Sequence, residues 1–489
     1  MPSSPGDTAT MGASHSAQPS AVEWLERMAA GELSARELTD HYIDRVLEAN
    51  ERLNALAAFD PEAALGAAEE ADRMRVRGDW RPLLGLPVTV KDSIEVSGLP
   101  ATGGSLARAG YVPARDATVV RRLRDAGAIV LAKTNLPEYS SSYETDNLVH
   151  GRTVHPLDPE RTPGGSSGGE AALIAAGASA VGVGTDGGGS IRVPAHYCGV
   201  LGLRPSIGRV PVTGNWPATR ASGYMDLYCM GPLARYAEDL ELILRVIAGP
   251  DGIDPYAVPA PLVSGRPDPA ELRVGWFLDS PRVRSTPGTR ATVAAVVGSL
   301  EDAGASVRAV EPPWDPDPTD LFMTAVVADG GAQARADVAD AGGRHHPQFK
   351  SFLDAAPERT LTAEGWFAVQ RDILDLRTKT RQLFTALDIL ICPVVAGPAP
   401  RHGEPPAGLP REEYGRYRAF DFVHLVAIGG LPAASVPAGT EDGLPVGVQV
   451  VGPPFREDLV LVVASLLETA GAEVAGTAVT TRAGGESPE

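Results

Sequence analysis

Short apolar runs alternate along this chain with longer segments of helical periodicity. Residues 86–90 and 128–132 are apolar runs, each followed directly by a lysine, and both are typical of buried strands. Ser34 and Glu37 form a capping box, and the apolar residues that follow at helical spacing predict a helix to about Asn50. Such alternation of strands and amphipathic helices predicts the α/β class, with a sheet flanked by helices.

The same reasoning predicts the remaining elements. Asp116 is expected to cap a helix that runs through Ala126, and Gly231–Arg235 to open a helix that ends near Ile247. Residues 312–410 are less regular, which is typical of the wall of a binding pocket. Further helices are predicted near 286–303, 366–387 and 458–468, and strands near 178–183, 272–278, 305–310, 389–392 and 443–452.

Composition narrows the functional classes. The 43 Lys and Arg residues against 62 Asp and Glu residues give a net charge of −19, which disfavours nucleic acid as a direct partner. No apolar run approaches the length needed to cross a bilayer, so no membrane association is expected. The three cysteines are scattered without a CxxC spacing, which indicates a reducing, cytoplasmic location. We expect no metal and no cofactor, and the adjacent His345 and His346 do not suit a shared ion.

Two glycine turns that carry serines lie close together in sequence. Gly164–Gly169 contains Ser166 and Ser167, and Gly187–Ser190 ends in Ser190. Glycine permits tight turns and close backbone approach, so these turns are candidates for a site built around a small reacting group. Lys91 stands at the carboxyl end of a predicted strand, where α/β sheets gather active-site groups.

A long set of motifs extends this pattern: Gly98-Leu99-Pro100, Lys133-Thr134-Asn135, Arg161 to Gly169, Gly184-Thr185-Asp186, Gly188 to Pro194, Cys198-Gly199 and Gly202-Leu203-Arg204-Pro205. On these motifs the chain resembles the amidase signature family over most of residues 30 to 470. The resemblance implies the amidase signature fold, a central mixed twisted sheet covered by helices on both faces. It also implies a single amidase domain at 21–477 with its signature core at about 80–250. Residues 1–20 are rich in Ser, Ala, Gly and Pro and are expected to form a disordered leader, and residues 478–489 a flexible tail.

The resemblance further implies a Ser-Ser-Lys triad for amide hydrolysis. Ser190 would be the nucleophile, Ser166 the bridging serine and Lys91 the base. A lysine accepts a proton only when it is neutral, so its pKa must fall from about 10.4 toward neutrality, and burial can cause that fall. The product would be an acyl-enzyme on Ser190, with release of ammonia or an amine.

Backbone N–H groups would hold the developing oxyanion. We assign these donors to Gly187, Gly188, Gly189 and Ser190. Asp186 and Arg192 are interpreted as an ion pair that positions the turn. Three further residues are expected to surround the triad, namely Asp92, Ser167 and Thr185.

Aromatic residues near the predicted strands are candidates for the wall of a substrate pocket. They are Tyr139, Tyr143, Trp216, Tyr224 and Tyr228, and they could stack on a flat acyl group or serve only in packing. The partner would be a small-molecule amide, and a homodimer is possible. The same triad also permits acyl transfer to another acceptor, or glutamine hydrolysis by a subunit of an amidotransferase.

Two other motif matches compete with this interpretation. Gly182–Gly187 satisfies GxGxxG, but the glycines, serine and Pro194 that follow do not suit the helix of a dinucleotide site. Gly165–Gly169 satisfies GxSxG, which would make Ser167 a nucleophile with Asp421 and His424 as its partners.

Overall fold

A computed structural model describes residues 18–468, except 219–222, 224–225, 264, 266, 407–408 and 410–416. Eleven strands form one mixed sheet in the order β1-β3-β2-β4-β6-β5-β10-β11-β9-β7-β8. The strands are β1 (Leu56–Phe59), β2 (Pro87–Lys91), β3 (Ile129–Thr134), β4 (Val181–Asp186), β5 (Leu201–Arg204), β6 (Cys229–Ala234), β7 (Arg273–Trp276), β8 (Ser306–Ala309), β9 (Ile389–Pro393), β10 (Ala433–Glu441) and β11 (Leu444–Val451).

Fourteen α-helices are present within the described residues. They are α1 (Ala21–Ala29), α2 (Ala35–Leu53), α3 (Pro61–Val76), α4 (Thr118–Asp125), α5 (Gly168–Ala175), α6 (Arg192–Cys198), α7 (Ala237–Ile247), α8 (Pro287–Asp302), α9 (Pro318–Val326), α10 (Ala332–Asp337), α11 (Pro347–Ala355), α12 (Ala363–Leu383), α13 (Asp421–Gly429) and α14 (457–468).

Helices cover both faces of the sheet, as alternate residues of β11 demonstrate. Val448 and Val450 belong to the main apolar core together with Val293 of α8. Gln449, between them, faces the opposite way and accepts a hydrogen bond from Arg192 of α6. Because neighbouring strand residues point to opposite faces, α8 and α6 lie on opposite sides of the sheet. The predicted fold class, a mixed sheet between helical layers, is therefore confirmed.

Parallel pairing brings the site-bearing strands together. β2 pairs in parallel with β3 on one side and with β4 on the other, and β4 continues into an antiparallel ladder with β6. The carboxyl ends of β2, β3 and β4 therefore meet at the same edge, where Lys91, Thr134 and Asp186 end their strands.

Two predicted helix starts are wrong. Gly231–Arg235 does not open a helix, because residues 229–234 form β6 and α7 begins only at Ala237. Any side chain at Gly231 would overlap the carbonyl oxygen of Leu203, so the glycine serves strand packing. Asp116 does not cap α4, whose N-cap is Ala117 without a side-chain bond. Its carboxylate instead accepts hydrogen bonds from the Ser97 N–H and from Arg124.

The structure also changes the picture at the ends and in the irregular region. Residues 18–20 of the predicted leader are described, and the Ser20 hydroxyl caps α1. The rest of the leader and the tail at 478–489 lie outside the described residues. Residues 312–410 contain helices α9 to α12, of which sequence analysis predicted only α12, as the helix near 366–387. In the described part of the chain, no helix is both long and apolar enough to cross a bilayer.

Candidate active site

Lys91 is the last residue of β2 and is completely buried. Its Nζ atom lies 2.6 Å from Oγ of Ser166 and 2.8 Å from Oγ1 of Thr185. The Thr185 hydroxyl in turn accepts a hydrogen bond of 2.8 Å from the Tyr228 hydroxyl. The strand end and the first glycine turn, 75 residues apart in sequence, are thus in direct contact.

Burial sets the charge of this lysine. Removal from water lowers the pKa of Lys91 to about 7, although the carboxylates of Asp186 and Glu170 act in the opposite direction. Its amine is therefore neutral in a large fraction of molecules near pH 7 and able to accept a proton.

Glu170 is a buried acid beside the lysine that sequence analysis did not single out. It lies in the first turn of α5, where its carboxylate accepts hydrogen bonds from the hydroxyls of Thr89 and Thr134. Burial raises the pKa of Glu170 to about 7. Its only sequence signal is an acidic residue at the start of an otherwise apolar helix.

Gly182 of β4 makes room for this acid. A Cβ atom at Gly182 would overlap the Glu170 carboxylate and approach the Thr89 hydroxyl to 2.7 Å. The first glycine of the GxGxxG match therefore allows a helix to approach the sheet. The segment that follows Gly187 leads into the short helix α6, whose third residue is Pro194, and the dinucleotide interpretation has no support here.

The two glycine turns are tied to each other by their backbones. The N–H of Ser167 donates a hydrogen bond of 3.0 Å to the carbonyl oxygen of Ser190. The Ser167 hydroxyl lies 3.4 Å from the carbonyl oxygen of Thr185, at the end of β4. Ser166 is buried and Ser190 is half-buried at the wall of a cleft.

Asp186 organises the second turn. Its carboxylate accepts hydrogen bonds from the Gly189 N–H at 2.7 Å and from the guanidinium groups of Arg192 and Arg204 at 3.0 Å. All three charged side chains are fully buried. The two guanidinium groups hold the pKa of the Asp186 carboxyl well below its usual range, against the effect of burial. Arg204 is a second cation that sequence analysis did not assign to this turn.

The predicted oxyanion donors need one correction. Since the Gly189 N–H is engaged by Asp186, it is not available to a substrate. The described residues offer no acceptor to the N–H groups of Gly187, Gly188 and Ser190, and these three stay candidates. Gly189 has a φ of 120°, a conformation that favours glycine, and a Cβ atom there would lie 2.8 Å from Val423.

Asp92, next to Lys91, stabilises the loop that follows β2. Its carboxylate pairs with the buried ammonium of Lys133 at 3.0 Å and accepts hydrogen bonds from the backbone of Thr102 and Gly103. This pairing lowers the pKa of Asp92 although burial alone would raise it. Asp92 therefore supports the lysine strand through the loop backbone.

A cleft opens beside Ser190. Three of the predicted pocket residues line it, namely Tyr139, Tyr143 and Tyr228. Trp216 does not line the cleft but packs edge-on against Tyr139, with 5.2 Å between the ring centroids. Tyr224 lies outside the described residues. Sequence analysis missed five other residues that line the cleft, namely Phe322, Met323, Val326, Phe352 and Tyr417.

His424 and Asp421 do not form a triad with Ser167. The two ring nitrogens of His424 bond to the hydroxyls of Tyr143 and Thr319, at 2.8 and 3.0 Å. Burial lowers the pKa of His424 to about 3. The GxSxG alternative is therefore wrong in its geometry, because the histidine is engaged elsewhere.

The adjacent histidines contact acids from one loop. The Nδ1 atom of His345 lies 3.0 Å from Glu138, and Nε2 of His346 lies 3.4 Å from Asp146. No cluster of three or more His, Cys, Asp or Glu side chains suited to a metal ion occurs within residues 18–468 as far as they are described. The three cysteines are buried, and no disulfide bond joins any two of them.

Comparison with known proteins agrees with this geometry. The model of the Amidase family matches residues 37–461. The chain is 33% identical to an indoleacetamide hydrolase of Bradyrhizobium diazoefficiens over 473 residues, covering 92% of this chain and 86% of the relative. It is 36% identical to the A subunit of a glutamyl-tRNA(Gln) amidotransferase of Deinococcus radiodurans, covering 92% and 97%.

A solved structure of 6-aminohexanoate cyclic dimer hydrolase superposes with a TM-score of 0.81 at 27% identity, covering 93% of this chain and 97% of that structure. The match between family model and chain spans the strands, both glycine turns and the cleft walls. The chain therefore belongs to the amidase family, whose members include the amide hydrolases and amidotransferase subunits to which it is similar.

Proposed function

We propose that this protein hydrolyses small linear amides through an acyl-enzyme on Ser190, with Ser166 and Lys91 as the proton relay. The observation that carries the proposal is the 2.6 Å contact between Lys91 Nζ and Ser166 Oγ, two side chains that are both buried. A lysine with a pKa of about 7 accepts protons near neutrality, so no histidine is needed.

The proposed reaction has two stages. Lys91 removes the proton of Ser166 while Ser166 removes that of Ser190, and Ser190 Oγ bonds to the amide carbon. As the C–N bond breaks, the proton held by Lys91 passes through Ser166 to the leaving nitrogen. Water then attacks the ester by the same relay, which releases the acid and restores both serines.

The N–H groups of Gly187, Gly188 and Ser190 are the proposed donors to the oxyanion in both stages. Donors fixed before the reaction stabilise the tetrahedral intermediate without a cost of reorganisation. Asp186 supports this arrangement because it anchors the neighbouring Gly189 N–H at 2.7 Å.

The cleft favours an acyl group that is flat and uncharged. None of the described residues that line the cleft is charged, and aromatic rings form much of its surface. The hydroxyls of Tyr139 and Tyr228 donate to Asp337 and Thr185 respectively, and the Tyr139 ring is stacked on Phe349. A charged acyl group would lose its hydration here without gaining an ion-pair partner.

This chemistry supports a stand-alone hydrolase over a glutamine-dependent amidotransferase subunit. Glutamine carries an ammonium and a carboxylate, and both would need charged partners in the site. The similarity to a subunit of an amidotransferase makes that alternative specific enough to test. Acyl transfer to hydroxylamine would use the same ester on Ser190 and is the second alternative. A cytoplasmic location and a homodimer stay predictions.

A panel of amides tests the proposal. The purified chain is expected to release ammonia from phenylacetamide-type and benzamide-type substrates at least about 100-fold faster, in kcat/KM, than from glutamine. Ser190→Ala should abolish both this activity and the acyl adduct seen by intact-mass spectrometry. Glutamine hydrolysis that appears only with a copurified partner would contradict the stand-alone function, and an adduct that survives Ser190→Ala would contradict the nucleophile.

A further inference from the structure

A chain of hydrogen bonds connects α9 and α13 to the second glycine turn. The Thr319 hydroxyl lies 2.5 Å from Asp421 Oδ1 and 3.0 Å from His424 Nδ1. His424 Nε2 lies 2.8 Å from the Tyr143 hydroxyl, which is 2.5 Å from the carbonyl oxygen of Gly188. This series of hydrogen bonds therefore ends on the peptide group between Gly188 and Gly189.

That peptide group is held at both ends. Tyr143 donates to its oxygen, and Asp186 accepts from its nitrogen at 2.7 Å. The N–H of Gly188 belongs to the preceding peptide group and the N–H of Ser190 to the following one, so this plane lies between two proposed oxyanion donors. A rotation of the plane would redirect both donors, and holding it fixes their aim.

This series of hydrogen bonds has one proton too few when His424 is neutral. Its four links each need a proton, whereas Thr319, Tyr143 and a neutral imidazole supply one apiece. The 2.5 Å separation of Thr319 and Asp421 fits a hydroxyl that donates to a carboxylate. Thr319 therefore accepts from His424 Nδ1–H, and His424 Nε2 is left as an acceptor.

The missing proton consequently falls at Tyr143, whose single hydroxyl proton is shared between the Gly188 carbonyl and His424 Nε2. The Asp421 carboxylate also accepts hydrogen bonds from Ser280 at 2.7 Å and from Arg282 at 3.2 Å. Three other charged groups act on the imidazole, namely Arg192, Arg418 and Asp186. The two arginines disfavour a second proton on the ring, and Asp186 favours one.

We propose that Tyr143 is a positioning residue for the oxyanion turn, acting through the Gly188 carbonyl, and that His424 competes with this carbonyl for the tyrosine proton. The inference rests on the proposed function, since it assumes that the turn receives the oxyanion. It assigns to Tyr143 a second role besides its place in the cleft wall, and to His424 a role unlike that of a catalytic base.

Tyr143→Phe is the first test, because it removes the hydroxyl and keeps the ring. We expect kcat to fall about tenfold or more, with KM changed less than about threefold. An arylboronic acid, which forms a tetrahedral anion on a catalytic serine, should lose affinity by the same factor as kcat. Tyr236→Phe is the matched control, since its hydroxyl donates to the Gln18 carbonyl far from the cleft. The proposal would be overturned if KM rose by the same factor as boronate affinity fell, or if neither kcat nor boronate affinity changed.

His424→Phe tests the competition and preserves the ring that stacks on Phe322 at 4.4 Å. The imidazole then no longer competes with the Gly188 carbonyl for the Tyr143 proton, so kcat should equal or exceed that of the parent enzyme. The double variant should match Tyr143→Phe. A loss in His424→Phe as large as in Tyr143→Phe would show that the histidine donates to the tyrosine, and would overturn the competition.

Two controls keep the outcomes distinct. Thermal unfolding of each variant identifies a loss of activity that comes from misfolding, and boronate affinity is compared only among variants with similar melting temperatures. Ser190→Ala, measured in parallel, separates this inference from the function beneath it. Boronate binding that survives in Ser190→Ala would contradict the assignment of Ser190 as the nucleophile. If Ser190→Ala is inactive but Tyr143→Phe has normal activity, only the role of Tyr143 is contradicted.

Discussion

The N–H of Ser167 donates a hydrogen bond of 3.0 Å to the carbonyl oxygen of Ser190, which joins the two glycine turns directly. The first turn carries Ser166 against Lys91, and the second carries Ser190 at the cleft. The two serines are consequently held by one backbone unit and not by two independent loops.

Loss of the buried lysine should stop the reaction while the fold survives. Lys91→Met retains most of the side-chain volume and removes the proton acceptor, so we expect kcat/KM to fall by about 1,000-fold or more. Lys350→Met, at an exposed surface position paired with Asp354, is the control and should retain full activity. A decrease of less than about tenfold in Lys91→Met would place the base elsewhere.

Activity should depend on pH through the same lysine. Because the neutral amine is the active form and its pKa is about 7, kcat/KM should rise with pH up to about 7 and level off above it. Ionised Glu170 favours the protonated amine, so Glu170→Gln should move this acidic limb to lower pH. The measurement is kcat/KM from about pH 5 to 9 for both enzymes. An acidic limb that moves to higher pH in Glu170→Gln would contradict the assigned interaction between Glu170 and Lys91.

The buried acid of the second turn should matter for stability as well as for activity. Asp186→Asn leaves the guanidinium groups of Arg192 and Arg204 without their carboxylate, and we expect the free energy of unfolding to fall by about 3–5 kcal/mol. Glu48→Gln, which removes an exposed pair with Arg45, should cost less than about 1 kcal/mol. Urea denaturation measures both values, and equal costs would refute the buried network.

Two glycines should respond to alanine in opposite directions. Gly182→Ala would drive a methyl group into the Glu170 carboxylate, so we expect a loss of about 3 kcal/mol in unfolding free energy. Gly66, inside α3, has no atom within 4 Å of the position that an added methyl group would take, and Gly66→Ala should stabilise the protein by about 0.5–1 kcal/mol. Melting temperatures of the two variants provide the comparison. A Gly182→Ala protein as stable as the parent would show that the helix can move away.

Local sequence determined much of this protein. Strong period and capping signals predicted α2 and the strand that delivers Lys91, because each depends on neighbours within a few residues. The glycine turns and the quoted motifs were sufficient to identify the family. Sequence patterns failed where a sheet ladder overrode local preference, as at Gly231, whose strand is fixed by pairing with β4 and β5.

Only the tertiary structure decided which groups meet. Glu170 and Arg204 joined the site because the sheet and α5 bring them beside Lys91 and Asp186, a proximity that no spacing encodes. The cleft likewise depends on contacts between distant segments, since its lining combines Tyr139 and Tyr143 with Phe322, Phe352 and Tyr417. Sequence thus determined which chemical groups are available, whereas packing of the sheet determined their burial, and with it the pKa of the lysine.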